Sequence, residues 1–258
     1  MIEFAIITVC TKNSKSIPMI HFEIWQYILL ALIFIWTGCI GFGGAALSLP
    51  FLLLDKPLFW LPIIAWHLLF FSSITVSQRL HQVDWRFLRY THSILIIPKM
   101  IGIFGLLNLP NNVLVIIVYC IILFYAITYI FNITRQSHNR LGDIVLLILG
   151  GYMSGTSLIG SPLIVAVYMR HVELQRLRDT LFVLWFILVS FKMSAFVVTG
   201  VDLQWEYTLL LLPFAAIGHY FGLKAHVSLI AAQGNNFKRI IGIVLALVII
   251  IGLWSILY

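Results

Sequence analysis

Gly41, Gly43 and Gly44 in one half of the chain, and Thr156, Ser157, Gly160, Ser161 and Pro162 in the other, are the residues best suited to chemistry: they either cradle an anion or only satisfy local backbone groups and permit close packing. Small residues let backbone N–H groups approach a ligand closely, and hydroxyls add donors. A helix that restarts after such a stretch exposes unpaired N–H groups carrying positive partial charge at its first turn. Ser161 can cap that helix and Pro162 suits its first position, where a missing N–H costs nothing. The spacing predicts a short helix from Leu163 to about Met169. Gly44 is a poorer cap, and Pro50 should bend or shorten the helix after the first stretch. Lys192, in Val189-Ser-Phe-Lys-Met-Ser, is an ionisable residue inside an apolar run, where charge is expensive and points to function. It lies about 7 residues, or roughly 10 Å, from the end of that run, so its ammonium can also snorkel outward. Arg178, near the start of the same run, either meets the anion or anchors the segment. His67 and His219 fall inside apolar segments and can exchange protons near neutral pH or simply pack through hydrogen bonds.

The elements that must position these residues are apolar segments long enough to cross a bilayer. Runs of about 17–25 residues are read as spans, and they fall near 24–54, 61–80, 91–107, 113–132, 143–170, 180–199, 206–224 and 239–257. The first and fifth are too long for one simple crossing, and they are the two that hold the glycine-rich stretches. Under one shift of about 117 residues, Gly38 falls on Gly155, Gly43 on Gly160, Ala45 on Pro162 and Gly105 on Gly222. Broken hydrophobic segments at matching places in two halves are the sequence pointer to a carrier's binding site. Irregular backbone at membrane depth is tolerated only where protein buries it or water meets it. The fold class is therefore an all-α polytopic membrane protein of eight segments in two four-segment repeats, 19–132 and 133–258. Residues 1–18 form an N-terminal extension expected to be dispensable; a truncation starting at Met19 should still insert. Pro98, Gly102 and Gly105 in one repeat, and Pro213, Gly218 and Gly222 in the other, read as close helix packing.

Two topologies compete. Eight single crossings split the basic residues of the loops evenly between the two faces. If the first and fifth segments instead dip in and return, the 79–90, 133–142, 170–178 and 224–239 loops share one face. That face then collects nearly every loop arginine, leaving Lys12, Lys15 and Lys56 opposite. Positive residues mark the cytoplasmic face, so the charges favour the hairpin arrangement, in which the two repeats are inverted.

Composition excludes several classes. The chain of 258 residues is 62% hydrophobic and 10% charged, whereas soluble domains carry roughly a quarter charged residues. The net charge of +7 comes from residues in short loops rather than along one soluble face, which excludes a nucleic-acid partner. Cys10, Cys39 and Cys120 form no CxxC pair and no metal-ligand spacing, so neither a metal nor a cofactor is expected. Gly151-Tyr-Met-Ser154-Gly155 is loosely similar to the nucleophile stretch of an intramembrane serine protease, but no element places a histidine beside Ser154, and catalysis is not expected. A structural or assembly role in the membrane is the other alternative to a carrier.

Taken in order, Gly41-Phe-Gly43-Gly44 running into Leu-Ser-Leu-Pro50, then Gly160-Ser-Pro162, Arg178-Asp-Thr180 and the Pro213 to Gly222 run resemble the TauE/SafE family of sulfite exporters and organosulfur-anion permeases. The resemblance covers about residues 24–257. It implies secondary transport of a small anion, often sulfur-containing, across a prokaryotic cytoplasmic membrane, with coupling to a proton or ion gradient as an option. The chain departs from the family pattern in Gly-Ser-Pro for Gly-Gly-Pro at 160–162, and in Ala65-Trp66-His67 where small hydroxyl residues are expected. Those changes bear on the substrate more than on the fold.

Overall fold

The computed structural model describes residues 57–131, 140–158 and 161–231, with positions 243, 246, 247 and 250. Every regular element among them is helical: α1 (Pro57–Arg79), a 3-10 turn (Leu80–Gln82), α2 (Trp85–Asn108), α3 (Asn111–Ile130), α4 (Arg140–Ser157), α5 (Ser161–His171), α6 (Leu174–Val198) and α7 (Trp205–Ala231). The first segment with Gly41, Gly43 and Gly44, the extension 1–18, Gly160 and most of the last segment lie outside the described residues. Three of the described helices, Leu58–Gln82, Trp85–Asn108 and Gln175–Val198, are long and apolar enough to cross a membrane. Large apolar side chains such as Ile97, Ile101 and Phe104 on α2 face outward, as a lipid-facing surface requires.

One end of the bundle is tied by polar contacts. Asp84 caps α2 by accepting from the Phe87 N–H at 3.0 Å. The Asp84 N–H in turn donates to Thr180 Oγ1 at 3.0 Å, while that hydroxyl donates to the Arg176 carbonyl at 2.7 Å. Arg79 pairs with the buried Asp179 at 3.4 Å. The Arg178-Asp179-Thr180 element thus holds the α1–α2 link against the start of α6. At the same end, Asp143 in the first turn of α4 accepts from Arg170 at 2.5 Å and meets His171 at 2.7 Å, both in the last turn of α5. Because the start of α4 meets the end of α5, the fifth segment folds back on itself. Eight single crossings would put the 79–90 and 170–178 stretches on opposite faces; these contacts bring them together, along with 140–143.

The helix directions follow from the same anchors. α1 runs toward the basic end and α6 away from it, so these two helices are antiparallel neighbours. α2 also leaves the basic end, whereas α7 lies parallel to α1, with Phe59 against Tyr207 and Phe71 stacked on His219 at the two ends of the seam. Two helix pairs have the most extensive packing, α2 with α4 and α1 with α6.

Glycine makes the α2–α4 pair close. Tight approach of helix backbones in a bilayer requires small residues; Gly155 on α4 faces Gly102 on α2, and Gly151 packs against the backbone of Leu95. A methyl group at Gly151 would sit 2.8 Å from the Leu95 carbonyl oxygen. One at Gly155 would collide with the Lys99 carbonyl and lie 2.9 Å from both Gly102 Cα and Ile103 N. Gly155, expected within the irregular stretch, is in fact helical and serves this contact. Helix α4 continues to Ser157 because its glycines are packed against backbone rather than free to unwind.

Candidate functional site

The interior of the bundle holds two lysines without any exposed surface, Lys99 on α2 and Lys192 on α6. Counted along the helices from Thr91 and Thr180, where the apolar runs begin, Lys99 lies about 8 residues (~12 Å) deep and Lys192 about 12 residues (~18 Å) deep. These depths bracket the middle of a hydrocarbon core of about 30 Å. Lys192 does not snorkel.

The two ammonium groups have different surroundings. Lys99 Nζ donates to Ser154 Oγ at 2.9 Å and to the Ser154 carbonyl at 3.3 Å. Ser154 belongs to the last turn of α4, whose carbonyls lack helical partners, so Lys99 both satisfies one of them and offsets the negative end of the helix dipole. Lys192 Nζ has no hydrogen-bond partner among the described residues and lies 5.8 Å from the centre of the Phe196 ring. The two lysines sit on helices that pack against one another, α2 and α6. Tyr119 on α3 is also fully buried, its hydroxyl without a hydrogen-bond partner among the described residues, in the apolar cluster that includes Phe196, Met153 and Leu158.

The end of α4 reaches the same apolar cluster as Met193 and Phe196, the neighbours of Lys192 along α6. Leu158 takes φ +63°, the left-handed conformation that ends many helices. That conformation costs a non-glycine residue roughly 1–2 kcal/mol, but Leu158 is buried in the core. Burying a leucine contributes about 1.5–3 kcal/mol, which offsets the strain and explains a leucine where glycine is usual. Helix α5 starts at Ser161, with Pro162 in its first turn, and its N-terminus emerges at the interior tip of the fold-back.

The other sequence candidates divide. Thr156 and Ser157 are buried beside this tip, but their hydroxyls donate to carbonyls of their own helix, Thr156 to Met153 at 3.2 Å and Ser157 to Met153 at 3.1 Å. Arg178 is not brought to Lys192; the two are about 14 residues (~21 Å) apart along α6, and the Arg178 guanidinium lies over the Phe182 ring at 5.5 Å. His67 Nε2 is 2.9 Å from the Thr208 carbonyl. His219 is stacked on Phe71 at 4.6 Å and meets the edge of Phe182 at 6.4 Å. Lys99 is the residue that sequence reasoning missed, although its signal was present: a lysine at the centre of the 91–107 apolar run, judged by the same rule that singled out Lys192.

A family model described as "Sulfite exporter TauE/SafE" matches residues 27–251, nearly the whole chain. The chain belongs to the TauE/SafE family. TauE/SafE membership, with the apolar helices described above, makes it a multi-pass membrane protein of a family that transports sulfur-containing anions. The search of curated proteins and the search of solved structures each returned no match.

Proposed function

We propose that this TauE/SafE protein is a secondary carrier that moves a small sulfur-containing anion across the cytoplasmic membrane by alternating access, with its site at the α4–α5 tip. The observation that carries this reading is a pair of fully buried lysines at mid-membrane depth beside a fold-back segment. An uncompensated ammonium in the bilayer interior is costly, and an anionic substrate supplies the compensation. Lys192 and Lys99 would hold the anion by charge-assisted hydrogen bonds. Thr156, Ser157, Gly160, Ser161 and Pro162 would shape the tip, and the N–H groups opening α5 would add positive potential. Gly41, Gly43 and Gly44 would form the matching wall from the first repeat. Arg178 belongs to the entry face rather than to the site.

In this reading both broken segments are re-entrant, and the arginine-rich end of the bundle is cytoplasmic. By the repeat relation, α7 with Pro213, Gly218 and Gly222 would receive the first broken segment as α2 receives α4. His67 and His219 are the candidates for proton coupling. Counted from the Arg79–Asp179 pair, His67 lies about 12 residues (~18 Å) in along α1 and Lys192 about 13 residues (~20 Å) in along α6, at similar depth. The test is flux of labelled sulfite, thiosulfate, a sulfonate and a carboxylate into proteoliposomes, with and without a pH gradient. Substrate flux that saturates, with a half-saturating concentration raised about 10- to 150-fold by Lys192→Ala, is expected. Absence of flux for every anion would remove the carrier reading.

One observation favours a second reading. Lys99 Nζ on Ser154 Oγ at 2.9 Å has the atoms of a Ser–Lys nucleophile pair. Against it, the same ammonium also bonds the Ser154 carbonyl, as expected of a helix-capping lysine. Covalent labelling of Ser154 by a fluorophosphonate would favour the hydrolase.

A further inference from the structure

The charge inventory of the interior says what kind of anion fits. All six described carboxylates sit at helix ends: Asp84, Asp143, Glu173 and Asp179 at the basic end, Asp202 and Glu206 at the other. Asp143 is taken by Arg170 and His171, Asp179 by Arg79, and Glu173 by Arg176. None is paired with Lys99 or Lys192, and His92, about two helical turns before Lys99 on α2, carries a buried Nδ1 without a hydrogen-bond partner among the described residues. Two ammonium groups therefore face the same interior with no carboxylate between them among the described residues.

The donor inventory agrees. An ammonium has three N–H bonds. Among the described residues, Lys99 spends two on Ser154 and keeps one, Lys192 keeps all three, and Ser154, which accepts from Lys99, keeps its hydroxyl proton. These donors come from two different helix pairs, Lys99 and Ser154 from α2–α4 and Lys192 from α1–α6, and α2 packs against α6 between them. The repeat does not generate the pair: under the 117-residue shift Lys99 falls on Ala216 and Lys192 on Thr75. Each half contributes one charge at its own position.

We infer that Lys99 and Lys192, with the Ser154 hydroxyl, form a two-charge clamp selective for a doubly charged oxyanion over a singly charged one. The inference rests on the carrier reading and narrows its substrate class. A dianion with three or more oxygens neutralises both lysines at once and accepts from both helix pairs, bridging them. A monoanion leaves one ammonium uncompensated, losing about 10- to 150-fold in affinity, the value of one charge-assisted hydrogen bond.

The test compares thiosulfate and sulfate with methanesulfonate, by titration calorimetry on the full chain in nanodiscs and by flux into proteoliposomes. For the unaltered protein the dianions should bind at least about tenfold more tightly than methanesulfonate, by one charge-assisted hydrogen bond. In Lys192→Gln and in Lys99→Gln that ratio should fall toward one, whereas Lys192→Arg should retain it because the charge survives. Equal affinity of the unaltered protein for both charge classes would overturn the inference without needing any variant. So would a Lys192→Gln protein that keeps the full ratio. If both classes are transported at equal affinity, only the clamp fails. If neither is bound or transported, the carrier reading fails with it.

Discussion

Gly155→Ala isolates the packing on which the site depends. An added methyl group at Gly155 meets the Lys99 carbonyl, Gly102 Cα and Ile103 N, the last two at 2.9 Å. All three are backbone atoms of α2, so no side chain can rotate away and the helices must separate. Overpacking of this kind costs typically 1–3 kcal/mol, and rigid backbone places the cost near 3. The gain in helix propensity on replacing glycine by alanine returns about 1 kcal/mol. The net loss is about 2 kcal/mol, or a fall of roughly 4–8 °C in Tm for a chain of this size. Gly142 is the internal control, because nothing lies within 4 Å of a methyl group there. Gly142→Ala should leave Tm unchanged or raise it slightly. Separation of α2 from α4 also pulls Lys99 away from Ser154, so anion affinity should fall with stability in Gly155→Ala alone. The assay is thermal unfolding of purified protein in one detergent, followed by calorimetry with thiosulfate. A Gly155→Ala protein as stable as Gly142→Ala would refute backbone contact between α2 and α4.

The polar ties at the basic end should behave as structure rather than as site. Asp143→Asn removes the charge that holds Arg170 and His171, and should cost about 1.5–3 kcal/mol, read as a lower Tm with an unchanged preference among anions. Thr180→Val leaves the Asp84 N–H without its acceptor and should cost about 1–3 kcal/mol, again with unchanged preference; altered anion selectivity in either variant would show that this end reaches the site. In a cysteine-free background, cysteines at 142 and 173 should be labelled from the same face of sealed vesicles, and labelling from opposite faces would exclude the α4–α5 fold-back. Bulk at the tip, as Gly160→Leu, should block flux while leaving insertion intact; normal flux would separate the tip from the substrate path.

What the sequence disclosed followed the strength of the physical signal. Unbroken apolar runs are dictated by the bilayer, and six of the eight expected segments correspond to described helices, with the fifth divided into α4 and α5. The restart at Ser161 was legible because capping and proline preferences are local. The end of α4 was less so. Gly155 reads as a breaker in isolation, but its neighbour in space is Gly102, about 53 positions away, and only that contact turns a weak helix former into a packing residue. Arg178-Asp179-Thr180 had the same ambiguity: its residue types suit an anion, yet two of the three are used to hold the Arg79 to Asp84 link.

Lys192 and Lys99 show most sharply where reading along a chain stops. The rule that an ionisable residue inside a span is functional treats both alike, and the positions of both within apolar runs are plain from sequence. Sequence cannot give the burial, since an ammonium about 10 Å from a span end is as free to snorkel as to turn inward. Nor can it give the partner. Lys99 is held by a serine about 55 positions away, and Lys192 by nothing among the described residues. A buried cation with spent hydrogen bonds is explained by structure; one with unspent hydrogen bonds is not, because folding alone gains nothing from it. Two lysines of the same type and similar depth thus make unequal claims. Lys99 can be understood as the cap of α4, whereas Lys192 has no such structural account among the described residues, and the proposed anion site is best tested from Lys192 outward.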